Sequence, residues 1–125
     1  MKIFRSAQAI HAEKPDGTRI KYYLFPEYEI HYNEIPPGTV QVLHHHEQIE
    51  ETLLILNGEL EVLWRNDKME EQTATLRKGD VIRTEKTPHT FANKSADVVS
   101  FAVFKFVPSG INRRELLKRD KIIDQ

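Results

Sequence analysis

From about residue 19 to residue 107 the chain repeats one pattern: apolar runs of four to nine residues in period two, each closed by Gly, Pro, Asn or Asp. Runs this short are strands, and with no helix-length stretch between them no crossover is available to build a parallel sheet. They place strands near 19–25, 28–35, 39–45, 51–56, 59–65, 72–76, 80–84, 88–92 and 97–107. An all-β antiparallel sandwich or barrel follows. Between Glu51 and Trp64, Asn57-Gly58 offers the two positive-φ residues of a type I′ turn, which predicts a hairpin pairing the strands on either side. After that turn Leu60, Val62 and Trp64 alternate with Glu59, Glu61 and Leu63, one face dry and the other mostly wet. Beyond Pro108 the period changes, and Asn112 caps a predicted short C-terminal helix over 113–120. Its Arg113, Arg114, Lys118, Arg119 and Lys121 are interrupted by Glu115 and Asp120, the pattern of a solvated face.

At 125 residues the chain makes one domain, 1–125, with a motif-bearing core at about 38–107. Eighteen Lys and Arg against nineteen Asp and Glu leave a formal charge of -1, which argues against nucleic acid or an anionic membrane as partner. The first residues lead into a polar stretch, and no window holds the roughly 18 apolar residues of a membrane span, so a cytoplasmic protein is expected. With no cysteine, disulfides, thiolate metal sites and cysteine nucleophiles are excluded, and a metal would have to sit on His, Asp and Glu.

Four of the six histidines, His44, His45, His46 and His89, fall in two short segments flanked by strands. On a strand, His44 and His46 project from one face and His45 from the other. Glu51 opens the next strand, and an antiparallel barrel brings His89 beside these three. Three neutral imidazoles and a carboxylate suit Fe, Mn, Ni, Co, Zn or Cu as a divalent ion and leave one or two positions open to a substrate or water. A helix through His46 and Glu50 is the competing explanation of the histidine run, opposed by Pro36-Pro37-Gly38 before it and Asn57-Gly58 after it. Glu50 is the alternative carboxylate ligand. His45 reads as a surface group, and His11 and His31 as ordinary polar residues. Alternation puts Phe91 with His89, and Leu53 and Ile55 with Glu51, as pocket walls; a mostly apolar wall favours a small organic ligand.

These residues resemble the cupins, whose first motif runs Gly, five residues, His-x-His, three or four residues, Glu, six residues, Gly. Here Gly38-TVQVL-His44-His45-His46-EQIE-Glu51-TLLILN-Gly58 matches throughout, and its spacing to Gly58 selects Glu51 over Glu50. The second motif, Gly, five residues, Pro-x-Gly, two residues, His, three residues, Asn, keeps its ends as Gly79, His89 and Asn93. Its Pro-x-Gly is missing and the interval from Gly79 to His89 is one residue shorter, so the loop delivering His89 is reshaped. The resemblance implies a double-stranded β-helix, or jelly-roll, barrel with a metal held by His44, His46, Glu51 and His89.

It also ranks functions. A three-histidine, one-carboxylate site resembles those of dioxygenase cupins such as quercetinases, so a metal-dependent dioxygenase acting on a small organic substrate is expected first. A metal-assisted isomerase or decarboxylase is the alternative, and would need an acid–base residue that the sequence does not identify. A non-catalytic ligand-binding or sensing module is the third reading. A homodimer is expected, because Thr52, Leu54 and Leu56 give the Glu51 strand a second apolar face opposite Leu53 and Ile55.

Overall fold

The computed structural model describes residues 1–108, so the helix expected over 113–120 lies outside the described residues. A single 3-10 turn, Ser6–Gln8, precedes nine strands: β1 (Ile10–Glu13), β2 (Arg19–Leu24), β3 (Glu29–Ile35), β4 (Glu50–Asn57), β5 (Leu60–Arg65), β6 (Glu71–Leu76), β7 (Val81–Arg83), β8 (His89–Ala92) and β9 (Val99–Phe106). They form a six-stranded sheet, β1-β2-β3-β9-β4-β7, and a three-stranded sheet, β6-β5-β8, antiparallel throughout. The two sheets enclose one core, as in a jelly roll. No helix among the described residues is long and apolar enough to cross a membrane.

Three features differ from the sequence-based expectation. β1 was not anticipated; it is fully exposed and pairs with β2 alone, so no buried face imprints period two on it. Asn57-Gly58 does not close a hairpin: β4 pairs with β9 and β7, and β5 with β6 and β8. Gly58 alone takes positive φ, at 85°, and a bulge at Ile55–Asn57 turns the chain out of one sheet and into the other. The expected strand at 39–45 survives as two bridges, Val40 to Ala92 and His44 to His89. Their registers differ by one residue, so an extra residue between Val40 and His44 breaks the ladder, and Val42 is left 82% exposed.

Ile35, Leu53, Ile55, Leu60, Val62, Phe91, Val99, Phe101 and Val103 form the buried core, each contributing about 1.5–3 kcal/mol for the larger side chains. Cross-strand register arranges the inner face of the large sheet in rows. Ile20, Asn33, Phe101 and Ile55 form one; Tyr22, His31, Val103 and Leu53 form the next; Glu29, Lys105 and Glu51 form the third. The interior therefore grades from apolar to charged along the strands, and the charged end is where the histidines gather. At the opposite end Asn93, fully buried, donates to the carbonyls of Ile35 (2.9 Å) and Asp97 (2.7 Å) and accepts from the Ser95 amide (3.0 Å), fixing the turn between β8 and β9.

Candidate metal centre

His44 and His89 are brought together by the backbone: the His44 amide donates to the His89 carbonyl at 3.0 Å and the His89 amide to the His44 carbonyl at 2.9 Å. Directly opposed residues of an antiparallel pair point the same way, so the two rings stand side by side with centroids 4.6 Å apart. Each ring is held in the same manner. Nδ1 of His44 donates to the Val42 carbonyl (2.9 Å) and Nδ1 of His89 to the Thr87 carbonyl (2.7 Å). With hydrogen on Nδ1, each imidazole presents its Nε2 lone pair, the arrangement that orients histidine toward a metal.

Glu51 enters from the start of β4, buried, and His44, Glu51 and His89 each offer a ligand atom within 4.8 Å of the others. His46 joins through Glu51, its Nε2 lying 2.7 Å from Glu51 Oε2. That contact lacks hydrogen-bond alignment. His46 Nε2, Glu51 Oε2 and His89 Nε2 are all sealed from solvent with no hydrogen-bond partner. Orphaned buried donors and acceptors cost about 1–3 kcal/mol each. Two adjacent ligands about 2.1 Å from one ion stand roughly 3.0–3.4 Å apart, so this pair lies slightly closer than a bound metal would hold it. The orphaned atoms and the compact group of His44, Glu51 and His89 fit a divalent metal; of the four sequence-predicted residues, His46 stands outside that group, against Glu51. Burial pushes the His89 imidazole below the ordinary histidine range, opposed by its bond to Thr87, which keeps it in the neutral form that binds metal.

Glu50, the alternative ligand, faces away. Its Oε1 accepts the Glu85 amide at 3.0 Å and its Oε2 lies 3.6 Å from Arg83 Nε. There it secures the reshaped loop before His89, in which Glu85 and Lys86 both take positive φ and Thr84 bonds the Glu51 carbonyl. His45 is on the surface beside Glu47. A cavity of about 550 Å³ opens from His44, His46 and Glu51, walled in part by Leu53, Phe91, Phe101 and Val103, while His89 lies outside its lining. Ile55, expected in that wall, belongs to the core instead. Sequence reasoning passed over His31, Asn33 and Lys105, which face this cavity. The signal for the first two was a strand with polar residues at every second position, Glu29, His31 and Asn33, whose polar face turns inward.

The sequence profile described as Cupin domain matches residues 31–105, more than half of the chain. No curated protein sequence matches it. Among solved structures, a predicted oxalate decarboxylase from Thermotoga maritima is similar with a TM-score of 0.71 at 19% identity, covering 86% of this chain and 100% of that one. The Cupin_2 domain of an XRE family transcriptional regulator from Enterobacter cloacae aligns with a TM-score of 0.60 at 24% identity, covering 73% and 97%. Drosophila melanogaster CENP-C bound to CAL1 aligns with a TM-score of 0.70 at 21% identity, covering 78% and 76%. At these identities the structural likenesses carry the fold, and the profile match carries the family: the chain belongs to the cupins.

Proposed function

We propose that this chain is a metal-dependent enzyme that processes a small organic substrate in the barrel cavity, with His44, His46, Glu51 and His89 holding a divalent transition metal. The observation that carries it is the convergence of sealed, partnerless ligand atoms of His46, Glu51 and His89, the first two lining a 550 Å³ cavity. A metal so held supplies Lewis-acid polarisation or, for a redox-active ion, chemistry with O2. The chain's own part is to fix the imidazoles of His44 and His89 through backbone carbonyls and Glu51 through burial, and to wall the cavity with Leu53, Phe91, Phe101 and Val103. The mostly apolar wall and the ligand set support oxygen-dependent cleavage as the first reaction to test. Metal-assisted isomerisation or decarboxylation is the second reading, favoured by an imidazole, His31, in the same cavity. A homodimer through the outer face of the large sheet, where Tyr23, Ile30 and Phe104 form a cross-strand row, belongs to the same proposal.

Metal content measured by inductively coupled plasma mass spectrometry, on protein purified without chelator or affinity tag, tests the reading together with oxygen uptake on hydroxy-ketones and phenols. Near-stoichiometric metal and substrate-dependent oxygen consumption are expected. Turnover without oxygen uptake would select the second reading. Protein that stays empty after reconstitution would sink both.

A further inference from the structure

The wall two strands from Glu51 carries a second pair of groups. Glu29 and His31 share the inward face of β3, where cross-strand register sets Tyr22 and Val103 beside His31 and Lys105 beside Glu29. His31 is only 7% exposed; its Nε2 lies 2.8 Å from Glu29 Oε2, and Tyr22 meets the ring edge-on at 4.6 Å. An ionised carboxylate only accepts, so Nε2 carries the hydrogen and donates it, leaving the lone pair on Nδ1. Nδ1 has no hydrogen-bond partner among the described residues, yet it is not sealed as the ligand nitrogens are. The ring lines the cavity that holds His44, His46 and Glu51.

The geometry leaves room for a ligand between the two walls. His31 belongs to the row beside Glu51's and sits two strands away, which at about 4.8 Å per strand spacing puts the two backbones roughly 10–12 Å apart. Both side chains reach inward, and a molecule of a few heavy atoms fills the gap. The charged and titratable groups facing His31 are Glu29 on its own strand, Tyr22 on β2, Lys105 on β9 and Glu51 on β4. Burial, with a smaller push from Lys105, holds the imidazole below its ordinary range against the pull of both carboxylates. Lys105 lines the same cavity between Glu29 and Glu51 in register, and no carboxylate among the described residues lies within 4.0 Å of its ammonium.

We propose that His31, oriented by Glu29, is the general base of this cavity, that its substrate is an enolisable hydroxy-carbonyl compound, and that Lys105 supplies the counter-charge. The inference rests on the metal-dependent reading only for how the far end of the substrate is held. In the step, the acidic hydrogen of the substrate leaves its carbon or enolic oxygen and bonds to Nδ1. The electron pair stays on the substrate as an enolate, and the imidazolium is stabilised by Glu29 through Nε2–H. No oxidant is consumed: the proton returns from Nδ1 to the former carbonyl carbon while the hydroxyl proton passes to the former carbonyl oxygen and its O–H electron pair becomes the new C=O, which completes an isomerisation. Glu29 is a positioning residue: it fixes which nitrogen is the base.

Tropolone, an enolic hydroxy-ketone whose anion absorbs at longer wavelength than its neutral form, is the probe. It is titrated at about pH 6.5, where an ordinary histidine is close to half protonated, into the full chain, both metal-free and zinc-loaded. Long-range 1H–15N correlation follows both nitrogens of His31, and an indicator dye follows proton release. In the free protein the hydrogen is expected on Nε2. On binding, the probe should absorb as the anion, Nδ1 should become protonated, and little proton should reach the solvent. His31→Gln should release the full proton, or bind the probe about tenfold or more weakly because the anion loses its partner cation, a loss of about 1.4 kcal/mol or more. Glu29→Ala, at a half-exposed position, should keep the fold and lose the fixed tautomer. Hydrogen on Nδ1 in the free protein, anion bound with the full proton released and His31 unchanged, or no binding to either form would each overturn the proposal. If zinc fails to bind while the metal-free protein still transfers the proton, the metal reading falls and the base stands. Zinc bound with His31 silent gives the reverse.

Discussion

The carboxylate of Glu50 accepts the backbone amide of Glu85 at 3.0 Å, so the residue beside one candidate ligand secures the loop that delivers another. Glu85 and Lys86 both hold positive φ in that loop, which costs an L-residue about 1–2 kcal/mol each. Glu50 is what offsets part of that strain. Glu50→Ala should destabilise the fold by about 1–3 kcal/mol and weaken metal binding about 10- to 100-fold while the saturating stoichiometry is kept. Glu51→Ala should lose the metal itself. Chelator-competition titrations and thermal melts separate the two; equal loss of stoichiometry in both variants would mean that Glu50 is a ligand.

The legible parts of the site were those fixed by local geometry. His44 and His46 needed only the intervals of the first motif, and Glu51 followed from its distance to Gly58. The inward histidine of β3 was not legible, because alternation on that strand offers two readings. Ile30 and Tyr32 mark one face as apolar, yet the structure turns Glu29, His31 and Asn33 inward and leaves the apolar pair on the outer face. A cavity that holds polar chemistry inverts the usual rule, and a single strand does not announce the inversion. The corner at Gly58 failed for a different reason. Asn-Gly marks a reversal of direction, but whether the next strand pairs with the last or crosses to the other sheet depends on the bulge before it and on β9 behind it.

That corner makes a stability prediction. Gly58 has φ 85°, and a Cβ there would stand 3.0 Å from Val99 Cγ2 and 3.1 Å from the Val98 carbonyl oxygen, in backbone that β9 holds in place. Gly79 has nearly the same φ, 89°, with nothing within 4 Å. Gly79→Ala should therefore cost only the conformational share, about 1–2 kcal/mol. Gly58→Ala should cost that plus the clash, about 1–3 kcal/mol more. Urea denaturation of both variants gives the comparison, and equal losses would show that the crowding against Val99 relaxes freely.

Acid should destabilise the metal-free protein over a defined range. Burial holds the imidazoles of His31 and His89 below their ordinary value of 6.5, so the unfolded chain binds protons that the folded chain refuses. Their contribution is complete above pH 6.5 and is lost as pH falls from there toward the folded-state values. Melting temperature should decline as pH is lowered through that range, and His31→Gln should decline less steeply than wild type. Parallel slopes in the two proteins would show that His31 titrates alike folded and unfolded.

Metal should stabilise the fold in proportion to occupancy, because the orphaned atoms of His46, Glu51 and His89 gain a partner only in the folded state. At a free metal concentration about 100 times the Kd the gain is about 2.7 kcal/mol, and EDTA should remove it. His46→Ala and His89→Ala should differ in the metal-free state. His89 is 2% exposed and packs on Phe91 with centroids 4.9 Å apart, so its removal opens a hole, whereas the His46 side chain is 25% exposed. Both should lose most of the metal-dependent rise in melting temperature, but only His89→Ala should also lower the EDTA-treated baseline. A metal-dependent rise that persists at full size in His46→Ala would reduce the ligand set to His44, Glu51 and His89, and would make His46 a group that hydrogen-bonds Glu51 from beside the ion.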